Sequence, residues 1–311
     1  MGRGSYKASD WAKLRSSISE TKKVEDIFAN KITAGSLKND TLSEMTEGCK
    51  KIRESRDSED SPESTPVIIG FDVTASMGYL AKELALNAMN LVITYLYDEK
   101  PISNPQILCA AIGDSLADKY PLQVTQFESD IRIIKQLLNL YLEGGGGGNG
   151  GESYNLLWYF AAKHTAADCF DKRGKKGYLF TIGDDASLGS LSATEIKRVF
   201  GDDVPYVTSD EELLREAEKN FNVFHIHIEN EQSDSDRIFS RWRTLMPGKV
   251  TVIEKKDIKY LSEIICAIIN VCEGKSSNEA LKEMKDQETA EKVAGSLAYI
   301  EEKKSKTTIV F

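Results

Sequence analysis

The chain has no apolar run long enough to cross a bilayer. Its longest, Val67 to Phe71 and Ile264 to Ile269, are far shorter than the roughly 20 apolar residues a spanning helix needs. The amino end, Met1-Gly2-Arg3-Gly4-Ser5-Tyr6, has no apolar signal core, and Tyr6 stands where a myristoylation signal wants Ser or Thr. Cysteine is scarce: Cys49, Cys109, Cys169, Cys266 and Cys272 are odd in number, scattered and without a CxxC pair. That spacing argues against structural zinc and a disulfide framework, and for reduced thiols. Basic residues are in deficit, 40 against 49 acids, for a net charge of −9 across 311 residues. An acidic surface repels phosphate backbones. The expectation is a soluble cytoplasmic protein with neither a nucleic-acid nor a membrane partner.

What is present is ordinary globular material, 41% hydrophobic and 29% charged. Residues 1–65 are polar, with modest helical patterns, and close in a Ser-, Asp- and Glu-rich run from Arg53 to Pro66 that reads as a solvated linker. From Val67 the pattern changes. Val67-Ile68-Ile69-Gly70-Phe71 is continuously apolar, as in a strand buried on both faces. Strand-like runs recur at Gln106–Ile112, Leu122–Phe127, Tyr178–Ile182, Asn222–Ile228 and Val250–Ile253, with helical patterns between them. Ser192 with Glu195 and Ser209 with Glu212 have capping-box spacing. This alternation predicts an α/β domain over 66–273, with a mostly parallel central sheet and helices on both faces. Residues 274–311 read as a C-terminal helix and tail.

In an open α/β sheet, ligands bind beyond the carboxyl ends of the strands. The first long strand runs into Asp72-Val73-Thr74-Ala75-Ser76-Met77. One carboxylate and two hydroxyls on alternate positions of a turn can converge on one point, although helix capping uses the same residue types. Oxygen-only ligands suit a hard cation, Mg²⁺ before Ca²⁺, and not zinc. The glycine tract Gly144 to Gly151 allows close backbone approach and leads into Glu152-Ser153, either of which can offer an oxygen. The strand Tyr178–Ile182 ends in Gly183-Asp184-Asp185, so two more acids point at the same crevice. Asp114, after another strand, either rims the site or is a turn residue.

These segments resemble the von Willebrand factor A (VWA) domain, whose metal-ion-dependent adhesion site (MIDAS) is built from three such loops. The resemblance covers about residues 66–272. Phe71-Asp72-Val73-Thr74-Ala75-Ser76-Met77 is its most specific part. The second loop departs from the common Thr-bearing form toward a Gly-rich variant of microbial and phage type, and the third reads Gly183-Asp184-Asp185 where Asp-Gly is frequent. The resemblance implies a Rossmann-like fold, with Thr74 and Ser76 on the metal directly and Asp72 and Asp184 direct or through water. Glu152, Ser153, Asp185 and Asp114 are the remaining candidates. The cofactor expected is Mg²⁺, or Mn²⁺ or Ca²⁺. The function implied is a non-enzymatic interaction module whose cation binds an Asp or Glu of a protein partner. Two alternatives stay open: a Mg²⁺-dependent phosphoryl-transfer or hydrolytic enzyme using Asp72, Asp184 and Asp185, and a structural subunit with a vestigial site.

Other features read as decoys. Gly146 to Ser153 matches a phosphate-binding loop except that Glu152 replaces its Lys, and a carboxylate there repels phosphate. His225 and His227 share one strand face and read either as a metal pair or as hydrogen-bonded histidines under a helix. His164 has no obvious nucleophile partner. Trp158 reads as core and Trp242 as half-buried or a surface anchor. The last helical pattern, about Ser277 to Glu302, is expected to be one long helix. With the β-prone tail Thr307-Thr308-Ile309-Val310-Phe311, its stripe of Ala290, Val293, Ala294 and Leu297 suggests self-association, the alternative being that it lies across its own domain.

Overall fold

The computed structural model describes residues 5–19, 44–77, 79–84, 88–142, 144, 150–229 and 234–300. Residues 145–149 of the glycine tract and the tail 301–311 therefore lie outside it, with the expectations that fall on them.

An early helix, α1 (Ala8–Ser19), precedes a short strand β1 (Arg53–Ser55) and the first long strand β2 (Thr65–Asp72). Helices α2 (Tyr79–Glu83) and α3 (Met89–Glu99) lead to β3 (Pro105–Ile112) and the edge strand β4 (Leu122–Val124). Next come α4 (Arg132–Leu137), α5 (Tyr154–Lys163), β5 (Thr165–Ala167), α6 (Asp168–Arg173) and β6 (Gly177–Gly183). A small hairpin pairs β7 (Ser190–Leu191) with β8 (Thr208–Ser209), enclosing α7 (Ala193–Phe200). The chain closes with α8 (Asp210–Ala217), β9 (Phe221–Glu229), α9 (Ser235–Leu245), β10 (Val250–Glu254), α10 (Leu261–Cys272), α11 (Ser277–Lys282) and α12 (Gln287–Leu297).

The main sheet has six strands in the order β10-β9-β6-β2-β3-β4, all parallel except β4. This is the α/β architecture the alternating pattern predicts. Side-chain alternation on β2 divides the core. Val67, Ile69 and Phe71 join the α3, α10 and α12 side, while Ile68 joins the α5, α7, α8 and α9 side. Both faces are covered, which is why the strand is apolar without a break. The capping boxes at Ser192 and Ser209 form as their spacing predicts. No described helix is long and apolar enough to cross a membrane.

Two expectations change. The run from Arg53 to Pro66 is docked, not a free linker. Strand β1 pairs in parallel with β5, and Ser55, Ser61 and Ser64 are buried. Arg56 Nη1 contacts Asp168 Oδ1 at 2.9 Å, and Arg173 Nη1 donates to Asp57 Oδ2 at 2.6 Å. The charges that made the run look solvated find partners more than a hundred positions away.

The C-terminal pattern is also not one helix. It breaks between α11 and α12, where Asp286 Oδ1 accepts the Thr289 amide at 2.8 Å and caps a new helix. Helix α12 folds back onto β10 and α10, burying Val293 and Leu297. Of the expected stripe, Val293 and Leu297 pack within the chain, and Ala290 and Ala294 are half-buried.

Candidate metal centre

The strand order places a switch point between β2 and β6. From β2 the chain winds outward through β3 and β4, then returns to β6 and winds the other way through β9 and β10. Parallel register aligns Phe71 with Ile182, so Asp72 and Gly183 end side by side and Asp184 lies just beyond the sheet. This is where α/β folds leave a crevice.

Four of the candidate residues meet there in one hydrogen-bonded chain. The Thr74 amide and Oγ1 donate to Asp72 Oδ1 at 2.8 and 2.6 Å. Thr74 Oγ1 and Ser76 Oγ are 3.2 Å apart, and Ser76 Oγ donates to Asp184 Oδ1 at 2.8 Å. Asp72, Thr74 and Asp184 are buried, and only Ser76 is exposed. Burial first, then the Asp184 carboxylate, raise the Asp72 pKa against the hydrogen bonds from Thr74 and Tyr154.

Glu152 is the fifth group. Its backbone is fixed against the Asp184 loop, its amide donating to Ala186 O at 2.8 Å. Gly151 permits that approach, since a Cβ there would lie 2.7 Å from Ala186 O. The side chain is buried, and among the described residues Oε2 has no hydrogen-bond partner. Burial, then the charges of Asp72, Asp114, Asp185 and Asp118, push its pKa up. An unpartnered buried carboxylate oxygen beside other acids is costly unless something positive satisfies it.

The remaining candidates face backbone. Ser153 Oγ accepts the Ser115 amide at 2.7 Å, and Asp114 Oδ1 accepts the Leu116 amide at 2.7 Å. Both bonds shape the loop beyond β3. Asp185 Oδ1 accepts the Ala186 amide at 2.7 Å, so Asp184 carries the contact to Ser76.

Three residues of the site were not assigned to it by the sequence. Tyr154 OH donates to the other Asp72 oxygen, Oδ2, at 3.0 Å. A weak signal existed, because the first turn of a helix following Glu152-Ser153 must face the crevice. Trp242 is buried, contrary to the expected half-exposure, and its Nε1 donates to Asp185 O at 3.0 Å. His225 stacks on Trp242, with ring centroids 3.6 Å apart. No local pattern links these residues to the cluster.

The two strand histidines are hydrogen-bonded beneath α9. His225 Nδ1 lies 2.9 Å from Thr181 Oγ1, and His227 Nε2 lies 2.8 Å from Ser235 Oγ. Burial, reinforced by His227, drops the His225 pKa well below its ordinary value; burial brings His227 to about 4 despite Asp184. Both rings are therefore neutral near pH 7. His164 is paired with Asp202 at 2.8 Å, away from this edge.

Among the described residues, no three His, Cys, Asp or Glu side chains gather into a metal-holding group. The donor set is instead two carboxylates and two hydroxyls, with Glu152 adjacent. Such oxygens fit one divalent cation.

No protein-family model matches this chain, and no curated protein matches it. Solved structures with a similar fold include a pilus adhesin, SpaC, from Lactobacillus rhamnosus GG, at 8% identity and TM-score 0.45 over 71% of this chain and 31% of that one. A von Willebrand factor type A structure from Catenulispora acidiphila matches at 16% identity and TM-score 0.39, over 68% and 43%. Proximal thread matrix protein 1 from the mussel byssus, with a zinc-occupied MIDAS motif, matches at 10% identity and TM-score 0.45, over 71% and 49%. The chain thus spans less than half the length of each.

Proposed function

We propose that this chain is a cation-dependent protein-interaction module of the VWA type. The observation that carries the reading is the Asp72–Thr74–Ser76–Asp184 network at the sheet's switch point, beside the unpartnered Glu152 carboxylate. Asp72, Thr74, Ser76 and Asp184 would hold one Mg²⁺, with Mn²⁺ or Ca²⁺ as substitutes and Glu152 balancing charge. When bound, the ion supplies a positive centre to which an Asp or Glu of a partner protein adds as a further ligand. The chain's own part is orientation. Tyr154 fixes one Asp72 oxygen, Thr74 the other, and Trp242 holds the backbone of the Asp184–Asp185 loop.

What supports binding over turnover is that, among the described residues, neither histidine behind the crevice is held as a base. Each histidine–hydroxyl pair behind the crevice leaves its second ring nitrogen, His225 Nε2 or His227 Nδ1, without a partner. A general base activating a hydroxyl is normally held by a third group. Two carboxylates with two neutral hydroxyls also suit one ion better than the two of metal-assisted phosphoryl transfer.

The test is calorimetric titration of Mg²⁺ and Mn²⁺ into wild type and Asp72→Ala, followed by affinity purification of both with mass spectrometry. Saturable binding lost in the variant, together with partners lost in parallel, is expected. A wild type that takes up neither ion at millimolar concentration would remove the proposal. Phosphate-ester turnover that disappears in Asp72→Ala would favour the enzymatic alternative.

A further inference from the structure

A cation site accounts for one acidic side chain of a partner, and the surface beside it bears on the next. We propose that the groove between α9 and the loop after Asp185 receives a second acidic side chain of the same partner segment, against Arg241. The inference rests on the cation reading above. The groove is a cavity of about 500 Å³, walled by Ala186, Ser187 and Gly189 on one side and by Arg237 and Arg241 of α9 on the other. Trp242 also lines it, and its indole N–H donates to Asp185 O. Groove and cluster therefore share one stretch of backbone. Asp184 leaves it toward Ser76, and the next residues turn to form the wall.

The groove carries charge of both signs, and Glu211, exposed, also lines it. Arg237 is matched by Asp234 at 3.0 Å. Asp210 is buried, its oxygens accepting Asn155 Nδ2 at 2.8 Å and the Gly189 amide at 3.1 Å. Arg241 is exposed and, among the described residues, has no carboxylate within 4.0 Å. Burial raises the Asp185 pKa, and Arg241 and Arg237 are close enough to oppose that. In a chain of net charge −9, an exposed arginine that makes no ion-pair contact among the described residues, beside a cation-binding edge, is a local attractor for acids. A segment with two acids would place one on the ion and one on Arg241. The lone ion would not distinguish a single acid from a pair, so the arginine would supply the discrimination.

A phage-displayed library of 12-residue peptides, panned on the full chain in Mg²⁺ and in EDTA, tests this with wild type, Arg241→Glu and Arg241→Gln. Magnesium calorimetry on the same variants shows whether the ion site is intact. Wild type in Mg²⁺ should enrich peptides carrying two acids. Arg241→Glu should lower that enrichment by about tenfold and favour Lys or Arg in place of the second acid. Arg241→Gln should enrich single-acid peptides. Magnesium-dependent enrichment of the same peptides by all three proteins would overturn the groove assignment while leaving the cation reading standing. Absence of any magnesium-dependent enrichment on wild type would overturn both. Two-acid peptides bound equally in EDTA would overturn the shared-segment arrangement, because the ion would then play no part.

Discussion

Ser76 Oγ donates to Asp184 Oδ1 at 2.8 Å, across 108 positions of sequence, and this bond ties the ends of β2 and β6 together. Ser76 is the exposed member of the network, but its hydroxyl is a donor to the buried Asp184. Ser76→Ala should therefore cost the metal-free chain about 1–3 kcal/mol. A further effect should appear with the cation. At a hundredfold excess over Kd, a ligand adds about 2.7 kcal/mol of stability, and the variant should lose most of that gain at the same Mg²⁺ concentration. Thermal melts with and without Mg²⁺ measure both quantities. A variant with the full magnesium shift would exclude Ser76 as a ligand.

Gly183 is where Tyr154 and Asp72 leave no room. A Cβ at this position would lie 2.0 Å from Tyr154 OH and 2.8 Å from Asp72 Cβ. Gly183→Ala should cost about 1–3 kcal/mol by overpacking and displace the tyrosine hydroxyl from Asp72 Oδ2. Adding Tyr154→Phe removes the closer clash, so the double variant should be more stable than the sum of the single costs predicts. Urea unfolding of the four proteins tests this. Strict additivity would mean the glycine is needed for another reason.

The docked N-terminal run should respond to acid. Burial works to raise the Asp168 carboxyl, but the Lys172 ammonium, the Asp57 amide and Arg56 outweigh it and bring the pKa from 3.8 to about 2. A depressed folded pKa contributes stability that is present above the unfolded value and lost as pH falls through the folded one. The docking of residues 53–66 should therefore hold at pH 5, weaken below about 4 and be lost near 2. Hydrogen exchange of those amides across that range would show it. Asp168→Asn should weaken protection at pH 7 and flatten the profile, and an unchanged profile would mean the ion pairs contribute nothing.

What could be read from the sequence was what is local. Asp72, Thr74 and Ser76 lie on one turn, and Asp184 and Asp185 follow a buried strand, so spacing and apolar pattern placed these oxygens at one sheet edge. The choice between Asp184 and Asp185 stayed open, and the metal roles came from the VWA resemblance. Tyr154 and Trp242 were not legible, because their roles depend on which helix covers the crevice. The charged run 53–66 was misread for a related reason. Its composition matches a solvated linker, yet Asp168 and Arg173, which neutralise it, belong to a helix that tertiary folding brings alongside. The break before α12 did carry a local sign, Asp286 three residues ahead of Thr289, of the kind that starts a helix.

The last prediction concerns that final helix. Leu297 is 3% exposed and Val293 fully buried, both in the core formed with α10. Thr251 Oγ1 donates to Ser296 O at 2.7 Å, and Ser296 Oγ donates to Val252 O at 3.1 Å, so the helix is clasped to β10 by polar contacts as well. Leu297→Ala should cost about 2–5 kcal/mol, the range for truncating a buried leucine. Ending the chain at Gly274 should cost more, because the α10 face that α11 and α12 cover becomes solvent-exposed. If the helix serves its own domain, light scattering should give full-length chain and Leu297→Ala the same mass while the variant melts lower. A helix that instead docks on a second copy would give the reverse: a full-length mass that halves on truncation, with little change in melting of the remaining domain. Burial of Val293 and Leu297 against the chain's own α10 argues for the first outcome.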